Sequence, residues 1–145
     1  MKIGIDWGGT KIEAIAIDPI NGEELKRIRI DAPKNNYDEI ISEVVRLINE
    51  ISSGESNFTV GIGMPGSIHP QTHLVQVSNT QALENKSVKA DLETQLGYEI
   101  KIANDADCLA LSEAIDGAGE KYGSVFAVIL GTGVGAGFSL NKKIV

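Results

Sequence analysis

The spacing of apolar and polar positions predicts three strands at the start of the chain. Apolar residues dominate Lys2–Asp6 and Lys11–Asp18, whereas Glu24–Ile30 alternates, with isoleucines on one face and arginines on the other. A turn at 18–22 contains proline and Asn-Gly, residue types that suit tight turns. Because only short turns separate these strands, we expect an antiparallel meander.

A helical pattern follows the meander. Apolar residues recur three and four positions apart over 37–51, which predicts an amphipathic helix that ends near Gly54. A strand is predicted at 58–64, where Pro65-Gly66 stops it. The stretch 67–85 has no clear period and is expected to be a long loop with little strand. Loops of this length in compact domains are typically functional.

Helices and strands alternate over the rest of the chain. The predicted elements are a helix at 88–96 with Ser87 as N-cap and Gly97 as C-cap, a strand at 99–103, a helix at 105–117, a strand at 124–130 and its hairpin partner at 136–140. Leu109, Ala110 and Ala114 are expected to line one face of the helix at 105–117. A meander followed by such units predicts an α/β domain with a mixed sheet.

Charge and cysteine content narrow the class of protein. The net charge of −7 argues against a nucleic-acid binder, since phosphate contacts require clustered basic residues. Lys26, Arg27 and Arg29 do lie close together, but acidic residues surround them, which indicates a solvated edge strand. Cys108 is the single cysteine and excludes an intrachain disulfide. No apolar run reaches the roughly 20 residues of a membrane span, so we expect a cytoplasmic protein.

A glycine turn joins the first two predicted strands. Adjacent Gly8 and Gly9 allow successive backbone amides to face one concavity, which suits phosphate oxygens. Thr10 and Lys11 would add a hydroxyl and a positive charge. Asp6 ends the first strand and would hold magnesium, mainly through water. An ordinary tight hairpin explains the same residues equally well.

A second glycine run spans 131–137. Residues 131–136 fit the dinucleotide fingerprint in its G-x-G-x-x-A form, but that motif requires a helix after it and an acidic residue about 20 positions further on. A strand is predicted here instead. A Walker loop is also excluded, because no Lys-Ser or Lys-Thr closes the run. The remaining interpretation is a second phosphate-binding hairpin.

Asp105 begins the predicted helix that follows the strand at 99–103. Asn104 and Asp105 both suit an N-cap, where a carboxylate gains from the helix dipole. The same position would present the Asp105 carboxylate in a cleft, where it would accept a proton from a hydroxyl. Both interpretations stay open on the residues alone. Asp107 is interpreted as a surface acid in the first helical turn.

Four other residues have simpler interpretations. His69 and His73 would pair on a metal only within one helix, and Pro70 between them indicates loop histidines. Trp7 is expected to pack in the interior, and Cys108 to be a small buried apolar residue.

Five motifs in this order resemble the ROK family of bacterial sugar kinases and related repressors. The motifs are Asp-x-Gly-Gly-Thr-Lys at 6–11, Gly-x-Pro-Gly at 63–66, Asn79, Asn-Asp at 104–105 and Gly-Thr-Gly-x-Gly at 131–135. The similarity is strongest to the fructokinase and N-acetylglucosamine kinase members. It implies a ribonuclease H-like domain of the actin-like ATPase superfamily and an ATP-dependent hexose kinase.

The resemblance also implies residue roles. Asp105 would be the general base for the sugar's 6-hydroxyl, and Asn79, Asn104 and Gly66 would hold ring hydroxyls together with Asp105. Asp6 would lie near magnesium. The triphosphate would be bound by Gly8, Gly9, Thr10, Lys11, Gly131, Thr132, Gly133 and Gly135.

The resemblance covers the first half of the family's fold. Residues 1–121 would form the sugar-binding domain, and 122–145 the first hairpin of a second domain whose zinc site and adenosine pocket are not in this chain. The apolar run 125–130 would then expose an unpaired edge, so we expect a homo-oligomer or a companion chain. Alternative functions are a sugar-responsive regulator, which would need a DNA-binding segment before the strand predicted to start at Lys2, and a non-catalytic association module.

Overall fold

The computed structural model describes residues 1–33, 36–76, 78, 80–130 and 134–145. The chain forms two compact units, Met1–Ile102 and Ala103–Val145. The division predicted after residue 121 falls inside the second unit, because the helix before that point packs on the strands after it. As a division of a longer protein into domains it stays a prediction.

A mixed sheet organises the first unit. Among the described residues its strands are β1 (Lys2–Trp7), β2 (Lys11–Ile17), β3 (Glu24–Asp31), β4 (Thr59–Met64) and β7 (Lys101–Asn104), in the order β3-β2-β1-β4-β7. The predicted meander is confirmed, since β2 pairs antiparallel with both β1 and β3. The parallel pairing of β1 with β4 makes the sheet mixed.

The basic residues of β3 lie on an edge strand, as predicted. Arg27 forms ion pairs with Glu13 and Glu24, and the Lys26 ammonium donates to the carbonyl oxygen of Glu50 at 2.8 Å. The acidic neighbours therefore neutralise this cluster.

Helix α1 (Tyr37–Ser52) supplies much of the core of the first unit. The Asn36 side chain caps it by accepting from the amides of Asp38 and Glu39, at 3.0 and 3.3 Å. Ser53 ends it in the left-handed conformation, with φ of 52°. The core gathers residues from the helices and one face of the sheet, including Trp7, which is buried as predicted: Ile3, Ile5, Trp7, Ile12, Ile40, Ile41, Val44, Leu47, Ile48, Ile51, Ile62, Met64, Leu83 and Leu92.

Helix α2 (Val88–Leu96) has the predicted bounds, and Gly97 ends it in the left-handed conformation with φ of 80°. Ser87 occupies the N-cap position, but its side chain makes no capping hydrogen bond, which corrects the expected role. A different contact connects this helix to the strand that follows. The amide of Ile100 donates to the Glu93 carboxylate at 2.9 Å, so strand pairing begins at Lys101 rather than at residue 99 as predicted.

The segment 67–85 is largely a loop, as expected. Its described residues include two short strands, β5 (Ser67–Ile68) and β6 (Val75–Gln76), and a 3₁₀ turn, Gln81–Leu83. His69 Nδ1 accepts hydrogen bonds from two amides of the turn between β5 and β6, at 3.2 Å each. This supports the interpretation of His69 as a loop residue.

The second unit is a helix packed on a three-stranded antiparallel sheet. Its described elements are α3 (Asp105–Ile115), β8 (Ser124–Leu130), β9 (Val134–Leu140) and β10 (Lys143–Ile144), in the strand order β10-β9-β8. The helix buries Ala106, Ala110 and Ala114, whereas Leu109 and Cys108 are only half-buried. The prediction that Cys108 is buried is therefore wrong, because the stripe that contacts the sheet is made of alanines. Ala110 and Ala114 share the buried face, whereas Leu109 is not part of the buried set.

Across the ranges that the structure describes, no helix is both long and apolar enough to cross a membrane.

The Glu93 contacts predict a pH dependence of stability. The pKa of Glu93 lies below its usual value because its carboxylate accepts two hydrogen bonds. The larger effect comes from the Lys89 ammonium, at 2.5 Å, and the next from the Ile100 amide. A carboxyl group whose pKa is lower in the folded chain stabilises the fold at pH values above its unfolded-state pKa of about 4.3. That stabilisation is lost as the pH falls through the folded-state pKa. We expect Glu93→Gln to reduce the fall in the free energy of unfolding between pH 6 and pH 3.

Urea unfolding at pH 6, 4 and 3 measures this effect. Glu84→Gln, at an exposed acid, is the control and should leave the pH profile unchanged. Identical profiles for Glu93→Gln and the original chain would contradict the prediction.

Candidate functional site

The glycine turn between β1 and β2 is closed by a backbone hydrogen bond. The Gly8 amide donates to the Lys11 carbonyl oxygen at 2.9 Å, so it is already used within the turn. A Cβ on Gly8 would lie 3.0 Å from that oxygen, whereas one on Gly9 would meet nothing within 4 Å. Gly8 is therefore required by the turn itself, and the open side of Gly9 is the part of this turn that a ligand can approach.

Lys11 and Thr10 both have contacts with the end of β3. The Lys11 ammonium lies 2.5 Å from an Asp31 carboxylate oxygen, and the Thr10 carbonyl accepts from the Ala32 amide at 2.9 Å. These contacts fix the turn against β3. They also offset the Lys11 charge that the sequence assigned to phosphate binding.

Asp6 is exposed near the end of β1, with Glu13 of β2 and Gly63 of β4 as its pairing partners. No group of three or more His, Cys, Asp or Glu side chains gathers for a metal among the residues described. Magnesium in phosphate-transfer sites uses one or two carboxylates and fills its other positions with water and phosphate. A single exposed carboxylate beside a glycine turn fits that ion.

Gly66 ends β4 in a conformation that other residues rarely adopt, with φ of 95°. A Cβ there would lie 3.0 Å from both the Gln76 carbonyl oxygen and the Ser78 Cβ. The buried Ser78 hydroxyl donates to the Pro65 carbonyl oxygen at 3.1 Å and accepts from the Thr80 amide at 3.1 Å. The loop after β6 is thus held against the Pro65-Gly66 turn.

Asn104 and Asp105 lie at the start of α3 in the second unit. Asn104 is the N-cap, and its Oδ1 accepts from the Ala106 amide at 2.9 Å. Asp105 is the first helical residue, and its Oδ1 accepts from the same amide at 2.9 Å. The Asp105 side chain is exposed. Asn104 thus occupies the N-cap position, and the exposed Asp105 carboxylate is accessible to a ligand although its Oδ1 shares the Ala106 amide.

The first turn of α3 is in close contact with β9. A Cβ on Gly137 would overlap the carbonyl group of Ala106, and one on Gly135 would lie 3.7 Å from the Ala106 Cβ. The Asp107 carboxylate accepts from the Phe138 amide at 3.3 Å. Ala106, which follows Asp105 in the chain, is therefore held against Gly135 and Gly137 of β9.

The structure brings the predicted site residues together in two groups, one in each unit. Asp6, Gly8, Gly9, Thr10 and Lys11 share the β1–β2 turn of the first unit. Asn104, Asp105 and Gly135 meet around Ala106 in the second. Gly66 lies in the first unit at the end of β4, whereas Asn79, Gly131, Thr132 and Gly133 lie outside the described residues.

Sequence reasoning missed three residues that hold these groups in place. Ser78 fixes the loop after β6, Asp107 binds the Phe138 amide, and Gly137 admits the α3 backbone. For Gly137, the sequence did contain a signal. A glycine run near the end of the chain accompanies alanines four residues apart at 106, 110 and 114, and small residues on two elements permit close packing.

Comparison with known proteins decides the family. The ROK family model matches residues 2–145. The chain belongs to the ROK family. It is 42% identical over 149 residues to an N-acetyl-D-glucosamine kinase of Haemophilus influenzae, a match that covers 99% of this chain and 47% of that protein. This ROK chain thus spans about half the length of the curated relatives it matches.

Solved structures agree on the fold of this ROK chain. A ROK glucokinase of Streptomyces griseus, in complex with glucose and AMPPNP, has a TM-score of 0.85 at 29% identity, covering 99% of this chain and 45% of that one. A ROK transcriptional regulator has a TM-score of 0.82 at 19% identity, covering 99% and 37%, and shows the fold alone. The predicted ribonuclease H-like α/β fold with a mixed sheet is confirmed.

The contact between Gly137 and Ala106 predicts a costly substitution. Gly137→Ala introduces a methyl group where the α3 backbone lies, so we expect a loss of about 1–3 kcal/mol in the free energy of unfolding, measured in urea. Gly61→Ala is the matched control, since Gly61 is also in a strand but a Cβ there meets nothing within 4 Å. Equal losses in the two variants would show that the close contact does not exist.

Proposed function

We propose that this chain is the sugar- and phosphate-binding half of an ATP-dependent hexose kinase of the cytoplasm. The observation that carries the proposal is the exposed Asp105 carboxylate at the start of α3, next to the residue that contacts Gly135, in a chain 42% identical to an N-acetyl-D-glucosamine kinase. The named activities of the relatives make N-acetyl-D-glucosamine the first substrate to test, followed by glucose and fructose.

The proposed reaction transfers the γ-phosphoryl group of ATP to a sugar hydroxyl. Asp105 accepts the hydroxyl proton as the sugar oxygen forms its bond to phosphorus and the bond to the ADP oxygen breaks. Asn104, Asn79 and Gly66 hold the sugar ring, which keeps the reacting hydroxyl close to Asp105. Positioning accounts for much of the rate in such transfers, because the protein takes no covalent part.

Backbone amides bind the triphosphate in this proposal. The amides of Gly9 and Thr10, in the turn where the Gly8 amide is already used, face one end of the phosphate chain. Gly131, Thr132, Gly133 and Gly135, which the resemblance also assigns to the triphosphate, complete the proposed set of phosphate-binding residues. Asp6 would hold magnesium through water, and that ion, when bound, offsets the negative charge of the phosphates.

The first experiment tests Asp105 within a complete kinase. A chimera joins residues 1–145 of this chain to the unmatched remainder of the Haemophilus influenzae relative. We expect Asp105→Asn to lower kcat by about 10²–10⁴-fold, because the base is lost, while the KM for the sugar changes much less.

Asp116→Asn is the matched control, since it removes one charge from the exposed end of the same helix. It should leave kcat and KM unchanged. A chimera with Asp105→Asn that keeps more than half of the original kcat excludes Asp105 as the base.

The second experiment concerns the 145-residue chain alone. We expect calorimetry to give weak heats with N-acetyl-D-glucosamine and with magnesium-ATP, and a coupled assay to detect little turnover, because half of the kinase fold is not there to exclude water. No heat with either ligand would favour an association module. Turnover equal to that of the chimera would show that the chain needs no second half.

A further inference from the structure

Ser78 is one of three polar side chains that are buried among the described residues, the others being Ser52 and Ser139. The Ser52 hydroxyl donates to a carbonyl oxygen of its own helix α1, and the Ser139 hydroxyl finds no hydrogen-bond partner in the described part of the chain. Ser78 differs, because its hydroxyl joins two segments. It donates to the Pro65 carbonyl oxygen and accepts from the Thr80 amide, at 3.1 Å each. A buried hydroxyl that is used both as donor and as acceptor fixes the positions of its partners.

Ser78 belongs to a loop, 75–86, whose two ends are tied together. The Val75 amide donates to the Lys86 carbonyl oxygen at 3.0 Å, and the Asn85 amide donates to the Val75 carbonyl oxygen at 2.9 Å. Leu83 is fully buried and anchors the second half of the loop in the core of the first unit. The Ser78 hydroxyl adds a contact from the first half of the 75–86 loop to a different segment of the chain.

The Pro65-Gly66 turn is the segment that the Ser78 hydroxyl reaches. A Cβ on Gly66 would lie 3.0 Å from the Ser78 Cβ and 3.0 Å from the Gln76 carbonyl oxygen, so the turn and the loop are in direct contact. The hydrogen bond from Ser78 to Pro65 is buried. Without the hydroxyl, the Pro65 carbonyl oxygen would lose this partner in a place that water reaches poorly, which favours displacement of the loop.

The Ser78 contacts adjoin two residues that the proposed function assigns to the sugar. Pro65 comes directly before Gly66, and Ser78 and Thr80 stand on either side of Asn79 in the sequence. Asn79 itself lies outside the described residues, whereas the partners of the Ser78 hydroxyl are described on both sides of it. One hydroxyl thus connects the backbone next to both assigned sugar-binding positions of the first unit.

We propose that Ser78 is a positioning residue for the sugar, because its hydroxyl holds the 75–86 loop against the Pro65-Gly66 turn. This role rests on the proposed function, since it takes Gly66 and Asn79 as sugar-binding residues. Ring hydroxyls stay bound throughout phosphoryl transfer, so contacts with them stabilise the bound sugar and the transition state to a similar extent. Loss of the Ser78 hydroxyl therefore raises the KM for the sugar and leaves kcat nearly unchanged.

Ser78→Ala in the chimera tests this role. We expect the KM for the sugar that the chimera phosphorylates to rise by about 10-fold, while kcat and the KM for ATP stay within about 2-fold of the original values. Ser78→Cys keeps a weak donor of similar size and should give an intermediate KM for the sugar.

Ser67→Ala is the matched control for the kinetics. Ser67 is an exposed serine of β5, and its hydroxyl makes a long hydrogen bond of 3.4 Å to the Gln76 carbonyl oxygen. The control should change neither kcat nor either KM. A rise in the KM for the sugar that is equal in Ser67→Ala and Ser78→Ala would overturn the proposal, because the buried hydroxyl would then have no special role.

Amide hydrogen exchange in the 145-residue chain, measured by NMR, tests the contact without any kinase activity. The Thr80 amide should exchange about 5-fold faster or more in Ser78→Ala, because it loses its acceptor, and at the original rate in Ser67→Ala. An unchanged exchange rate of the Thr80 amide in Ser78→Ala would overturn the proposal, since the hydroxyl would then not hold the loop.

Exchange and kinetics together separate the role of Ser78 from the proposed function. Faster exchange of the Thr80 amide with a rise in KM for the sugar alone supports the positioning role. Faster exchange with an unchanged KM for the sugar, or with equal changes in kcat and both KM values, overturns it, because the hydroxyl then serves the fold only. An unsubstituted chimera that phosphorylates no hexose excludes the proposed function itself, and the role of Ser78 toward the sugar with it.

Discussion

The backbone contact between the first turn of α3 and Gly137 is the constraint on which the second unit depends. Close packing of a helix against a strand requires small residues on both sides, and here alanines face glycines. The contact determines where the helix begins relative to the hairpin. It thereby places Ala106, whose amide donates to Asn104 and Asp105, beside Gly135.

The same kind of constraint recurs in the first unit, at Gly66 and Gly8. In each case the missing side chain allows two backbone segments to approach, and in each case the segment belongs to a candidate binding loop. Gly9 differs, because open space surrounds it. Glycines in this chain thus have two uses, one that brings backbone segments together and one that leaves backbone accessible to a ligand.

Much of the fold could be predicted because periodicity is a local signal. The apolar spacing over 37–51 and the apolar run in 124–130 correspond closely to α1 and β8. The start of β7 could not be predicted, since it depends on the Ile100 amide binding a carboxylate from α2. Ser87 occupies the predicted N-cap position but makes no capping hydrogen bond. A cap depends on side-chain orientation as well as on residue type, and residue type alone does not give the orientation.

For the candidate site, residue types indicated the chemistry but not the partners. Asp105 was identified as either a cap or a base, and the structure assigns the cap to Asn104. Lys11 suited a phosphate contact by type, yet the register of β2 and β3 places Asp31 beside it. The Lys11–Asp31 ion pair joins residues that are distant in sequence, so the residue types alone do not predict it.

The large apolar side chains of Phe126, Val128 and Leu130 on β8 are exposed in this chain. Strand β8 also lies at the end of the described order β10-β9-β8, and neither a charged residue nor a proline protects that edge. Exposed apolar strands of this kind aggregate at high concentration. The yield of native chain is therefore expected to fall as its concentration during folding rises.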